Sequence, residues 1–150
     1  MIIEVSSENE MKTFGEKLGR LLHGGEVIEL VGDVGSGKTT LTKGIAEGLG
    51  VDEDVQSPSF TISRVYEARD DLHLAHYDFY RLSEAGLMKN DLDEVVHDTK
   101  TVTVIEWAEI VADVLPSDRL SLEIVATSEN SRHITLRAHG YTSKEVEAWL

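Results

Sequence analysis

Apolar residues recur at three- and four-residue steps through Met11, Phe14, Leu18, Leu21 and Leu22, the spacing of one buried helix face. Ser7 and Glu10 stand at capping-box spacing at its start, and Gly24 and Gly25 end the pattern. The period then changes. Val27 to Val31 is a short apolar run of strand length; beyond a glycine-rich stretch, Leu41, Ile45 and Leu49 mark the buried face of a second helix, stopped by Gly50. Residues 51–60 read as loop. Residues 61–67 and 72–79 are β-rich runs separated by Ala68, Arg69, Asp70 and Asp71, which predicts a hairpin.

Residues 83–99 are polar and mixed, with a short helix predicted around 92–97, before the β-branched strand 101–105 and a helix over 108–115. Runs 119–126 and 132–139 flank the turn-like stretch Ser128, Glu129, Asn130, Ser131 and predict a second hairpin. Thr142 and Glu145 would cap a short C-terminal helix. Repeats, low-complexity tracts and linkers are absent from the 150 residues, so the order predicts one α/β domain over 1–150 with a mixed parallel and antiparallel sheet.

The stretch between the first strand and the second helix carries the chemistry. Gly32, Asp33, Val34, Gly35, Ser36, Gly37, Lys38 and Thr39 fit GxxxxGK[ST] in the strand–loop–helix context that this phosphate-binding loop requires. Its glycines let successive N–H groups turn inward on an anion, and the helix start adds its positive dipole end. Lys38 would reach the β- and γ-phosphates, Thr39 would place its hydroxyl on Mg2+, and Thr40 is positioned near the α-phosphate. ATP with Mg2+ is the expected ligand and ADP the product, since no guanine signature of the NKxD type is visible. The fold this implies is a P-loop NTPase-like three-layer sandwich.

Hydrolysis needs an acid for the magnesium shell and a group to orient or deprotonate water. Glu106 ends the run TVTVIE and would be delivered to the carboxyl edge of the sheet, where open α/β sheets bind ligands; it is assigned to the metal. Asp78, in HYDFYRL, is assigned to the water, leaving Asp78 and Lys38 as the candidate catalytic residues. Asp78 has an alternative use as a helix cap or a partner for Arg81. Trp107, next to Glu106, is open to two uses, a core aromatic or a half-exposed gate or partner contact over the site. Arg81 and Arg64 flank the site and could neutralise developing charge or form surface ion pairs. The six histidines lack metal-ligand spacing, and His76 is expected to pack or hydrogen-bond locally.

Composition narrows the partners. Acids outnumber bases 28 to 14, a net charge of −14, so most of the surface repels a polyanion and stable direct binding of tRNA or other nucleic acid is not expected. There is no cysteine, which excludes disulfides and thiolate chemistry. The first ten residues lack the basic flank and apolar core of a signal peptide, and no apolar run approaches membrane-spanning length, so a cytoplasmic location away from membranes is expected.

Four motifs in order, GDVGSGKTT, SPSFT at 57–61, HYDFYRL at 76–82 and VIEWAE at 104–109, resemble the TsaE family, also called YjeE, over nearly the whole chain. The resemblance implies a bacterial accessory P-loop ATPase for threonylcarbamoyl modification of adenosine in tRNA. It would dock on TsaB and TsaD and reset that complex through its nucleotide cycle. By motif position it implies Thr39 and Glu106 as magnesium ligands and Asp78 as catalytic acid, with Glu8 and Arg132 near the nucleotide. It also implies a nucleotide-sensing switch at 57–61, in which Ser59 stands where threonine is usual; Thr61 could approach the γ-phosphate or serve as a β-former. Two other readings stay open: a nucleotide-sensing adaptor without physiological hydrolysis, and a small-molecule kinase, although no arginine-rich lid is visible.

Overall fold

The computed structural model describes residues 1–56, 62–80, 82 and 86–150. Seven strands form one sheet in the order β1-β7-β6-β2-β5-β4-β3. They are β1 (Ile2–Val5), β2 (Val27–Val31), β3 (Ser63–Glu67), β4 (His73–Asp78), β5 (Thr101–Glu106), β6 (Leu120–Ala126) and β7 (Arg132–Ala138). β4, β5, β2 and β6 run parallel, while β3, β7 and β1 pair antiparallel at the margins. The helices are α1 (Glu8–Leu21), α2 (Lys38–Gly48), α3 (Leu87–Val95) and α4 (Tyr141–Ala148), with a 3₁₀ segment over Ala108–Val114.

All six residues of β5 are buried, as a parallel strand covered on both faces must be. Leu30, Val104, Leu122 and Ile134 face a core closed by α1 and α2. Ala75, Tyr77 and Ile105 face a second core beneath α3 and the 3₁₀ segment. The result is the three-layer α/β sandwich with a mixed sheet that the element order predicts.

α1 and α2 pack backbone to backbone. A Cβ at Gly15 would stand 2.6 Å from the Leu41 carbonyl oxygen, and one at Gly44 would overlap the Lys12 carbonyl. These glycines exist for that approach, because van der Waals contact leaves no room for a methyl group.

Several elements differ from expectation. β1 was not foreseen: only four residues long and with Val5 alone buried, it is too short to show alternation and is held by pairing with β7. α3 begins at Leu87, five residues before the predicted 92–97 helix, and Leu92 is its buried residue. The helix expected over 108–115 is present as a 3₁₀ segment, Ala108–Val114. α4 is not capped by Thr142 and Glu145. Its cap position is Gly140, the Ser143 hydroxyl accepts the Gly140 N–H at 3.0 Å, and Asp118 accepts the N–H groups of Thr142 and Ser143 at 2.9 and 3.0 Å. A cap supplied from another part of the chain leaves no local spacing to read.

Candidate functional site

β2 carries the chain to the carboxyl edge of the sheet, where it turns through Gly32–Gly37 into α2. Gly35 (φ 81°) and Gly37 (φ 111°) adopt left-handed backbone that a side chain would strain. A Cβ on Gly32 would lie 2.6 Å from the Ser36 hydroxyl, so this position is small for packing rather than for φ. No side chain caps α2 at Gly37, and its first turn holds no acid. The first-turn N–H groups, including those of Thr39 and Thr40, thus remain available to an anion at the positive end of the helix. Asp33 and Val34 are exposed at the loop tip, while Ser36 is buried.

Lys38 is buried at the root of the loop, and its ammonium donates to the Gly32 and Asp33 carbonyls, the latter at 3.1 Å. The same ammonium sits 4.5 Å from the centre of the Trp107 ring, a cation–π contact. Trp107 reaches it because the backbone reverses immediately after β5: φ is 57° and ψ 52°, a left-handed conformation costing a bulky residue about 1–3 kcal/mol. Half-buried Trp107 packs against the second core and lies 4.9 Å, centre to centre, from Tyr80, which is half exposed. Trp107 thus packs on the core as an aromatic while its ring also lies against the lysine ammonium.

Glu106 and Asp78 are directly opposite in the parallel pairing of β5 with β4, and Glu106 is in turn opposite Leu30 of β2. Three strand ends thus bring both carboxylates to the edge that bears the loop. Glu106 is buried, and its Oε2 accepts a hydrogen bond from His76 Nε2 at 2.6 Å. Burial raises the pKa of Asp78 above the usual aspartate value, opposed by the Tyr80 N–H that donates to it at 2.9 Å, while the Glu106 charge raises it further; His76 and Lys38 pull it down. An acid held between such groups is suited to accepting a proton.

His76 does hydrogen-bond, but to a carboxylate thirty residues away rather than to a chain neighbour. The available signal was the His-x-Asp spacing on a strand, which places His76 and Asp78 on one face.

Arg132, at the start of β7, donates to the Ser36 carbonyl at 2.9 Å and to Gly35 at 3.4 Å, and also to carbonyls of Ser128, Glu129 and Ser131. It ties the loop to the β6–β7 turn. Exposed Glu8, at the first turn of α1, lines with Arg132, Gly35, Gly37 and Thr40 a cleft of about 400 Å³. A cleft of about 610 Å³ opens on the opposite side of the loop, between Trp107 and the end of β6. Arg64 is exposed on β3 opposite His76. Thr61, Arg81 and the whole 57–61 segment lie outside the described residues.

Among the described residues no three His, Cys, Asp or Glu side chains gather as a metal cage. The donors at hand are oxygens, Thr39 hydroxyl and Glu106 carboxylate, the hard and sparse set that suits Mg2+ shared with phosphate oxygens. No helix is long and apolar enough to cross a membrane among the described residues.

Residues 5–134 match the family model described as threonylcarbamoyl adenosine biosynthesis protein TsaE. The chain is 42% identical to the tRNA threonylcarbamoyladenosine biosynthesis protein TsaE of Streptomyces coelicolor, over 87% of this chain and 91% of that protein. It is 39% identical to the protein of the same name from Bacillus subtilis, over 87% and 81%. A crystal structure of Bacillus subtilis YdiB superposes with a TM-score of 0.78 at 33% identity, covering 99% of this chain and 93% of that one. With the loop, the paired strand-end carboxylates and the tryptophan all in this frame, the chain belongs to the TsaE family.

Proposed function

We propose that this protein binds Mg-ATP at Gly32–Thr40 and hydrolyses it in the service of threonylcarbamoyl modification of adenosine in tRNA, acting on a protein complex of the TsaB–TsaD type. One observation carries the ATPase reading: Asp78 and Glu106 stand side by side at the strand ends next to the strand that feeds the loop. The pathway assignment rests on family membership.

In this reading the loop N–H groups and Lys38 hold the phosphates, and the cleft beside Thr40, Glu8 and Arg132 receives the nucleoside. Thr39 and Glu106 would hold the cation, whose charge offsets that of the phosphates. Lys38 is poised for exchange, because its ammonium rests on main-chain carbonyls that it can leave for phosphate oxygens. Asp78 orients the water and takes its proton. Trp107 covers the lysine and limits water access.

The net charge of −14 fits a protein that acts on tRNA-binding partners rather than on tRNA. Calorimetry with Mg-ATP and Mg-ADP tests the first step: heat with the wild type and none with Lys38→Ala is expected, and identical traces would refute binding at this loop. Single-turnover assays test the second: Asp78→Asn should bind Mg-ATP and fail to turn it over. Stimulation of turnover by the purified partner complex supports the assigned context, and tight binding without turnover supports an adaptor instead.

A further inference from the structure

The hydrogen bond between His76 and Glu106 joins two side chains that are both buried, on adjacent parallel strands, at 2.6 Å. His76 Nδ1 is also buried and has no partner among the described residues. A proton on Nδ1 would be an orphaned buried donor, costing about 1–3 kcal/mol. The geometry therefore places the ring proton on Nε2, where the imidazole donates to Glu106 Oε2. Glu106 Oε1 accepts no hydrogen bond among the described residues. Among the described residues the carboxylate is thus held through one oxygen while the other makes no hydrogen bond, at the edge of the sheet that bears the phosphate loop.

We infer that His76 is a positioning residue for the cation: it fixes the rotamer of the Glu106 carboxylate so that the uncommitted oxygen is presented to Mg2+ at the nucleotide. This rests on the Mg-ATP reading above. Carboxylates that bind metals are themselves held by a second layer of hydrogen bonds, and losing that layer typically weakens metal affinity about 10–100-fold. A purely structural pair would behave otherwise. Buried polar pairs contribute little net stability over a well-packed apolar pair, and any contribution of that kind would be independent of metal. The strand register supports the functional assignment, since His76 lies on the same face as Asp78, two residues before it, so β4 supplies both the water-orienting acid and the group that steadies its neighbour.

The test is ATP affinity by calorimetry with Mg2+ and in EDTA, together with Mn2+ binding followed by electron paramagnetic resonance, on the full chain. The variants are His76→Leu, which removes the donor, His76→Gln, whose amide can still reach Glu106, Glu106→Gln, and the double variant His76→Leu/Glu106→Gln. Affinity in EDTA should be unchanged by the histidine substitutions, and Glu106→Gln, which removes a negative charge beside the phosphates, should not weaken it. The gain conferred by Mg2+, and Mn2+ affinity, should fall about 10–100-fold in His76→Leu. His76→Gln should recover most of that loss, and the histidine substitution should add nothing once Glu106→Gln is present. Should His76→Leu not fold, His76→Asn, whose amide stops short of Glu106, takes its place in the same comparison. A wild-type Mg2+ gain retained in the donor-less variant, an equal loss in EDTA, or an undiminished further loss in the Glu106→Gln background overturns the inference and leaves the ATP reading intact. No Mg2+ gain in the wild type overturns that reading itself, and this inference with it.

Discussion

Helix α2 is served by an arginine at each end. At its carboxyl end the Arg69 guanidinium donates to the carbonyls of Gly48 and Leu22 at 2.7 Å and, more loosely, to those of Gly19 and Arg20, closing the last turns of both α1 and α2. At its amino end Arg132 donates to the carbonyls of Ser36 and Gly35. Both satisfy acceptors. Only at the carboxyl end does this complete the accounting, because a helix terminus there leaves carbonyls, and a cation also matches the negative end of the dipole. At the amino end the groups left over are N–H donors; Arg132 grips the loop from its carbonyl side and spares them. The same side chain thus meets the same type of partner at both ends, differing in which backbone groups remain, and under the proposed function the amino end is the one that binds.

The glycine seam between the two ends gives the largest expected effect. Gly44→Ala would gain about 1 kcal/mol in an open helix, yet here its methyl meets the Lys12 carbonyl, and we expect a loss of about 3 kcal/mol with weaker nucleotide binding as α2 shifts. Denaturant midpoints decide it, and a midpoint at or above wild type would show that the seam tolerates separation. Next, Arg69→Met should destabilise by about 2–3 kcal/mol and leave ATP affinity untouched where the protein is folded. A parallel drop in affinity would mean that the two ends are not separable.

Arg132→Met should invert that pattern, with ATP binding weaker by a factor of about 5–30 and a smaller stability change than at Arg69. Calorimetry beside thermal melts provides the contrast, which disappears if the melt moves more than the affinity. The smallest effect concerns α4, whose amino end, unlike that of α2, is closed by a carboxylate. Partial burial disfavours the Asp118 charge, but the hydrogen bonds from Ser143 and Thr142 outweigh it and hold the carboxyl below its ordinary value. The unfolded chain takes up that proton more readily, so the contribution is complete at neutral pH and fades as pH falls below about 4. Discounted for solvent screening, Asp118→Asn should cost about 1 kcal/mol or less at neutral pH and almost nothing in acid. A difference independent of pH, read from urea titrations, would locate the cap elsewhere.

Local pattern was enough for what depends on neighbours in the chain. The capping serine of α1, whose hydroxyl accepts the Glu10 N–H at 3.1 Å, the limits of β2 and the glycines of the loop are all written in short-range spacing, because helix caps, strand length and positive φ are properties of a few consecutive residues. So were Glu106 and Asp78 as strand-end acids. What lay beyond reach involves partners distant in sequence: β1 exists because β7 offers it an edge, α4 is capped by Asp118, Arg132 holds carbonyls nearly a hundred residues away, and His76 is a donor to Glu106 only once β4 and β5 pair in register. Sequence by itself determined the glycine-rich turn between β2 and α2 and the two acids that end β4 and β5. Tertiary structure alone decided which carboxylate is held still, since that follows from a hydrogen bond between paired strands, where strand register, not spacing along the chain, sets the distance.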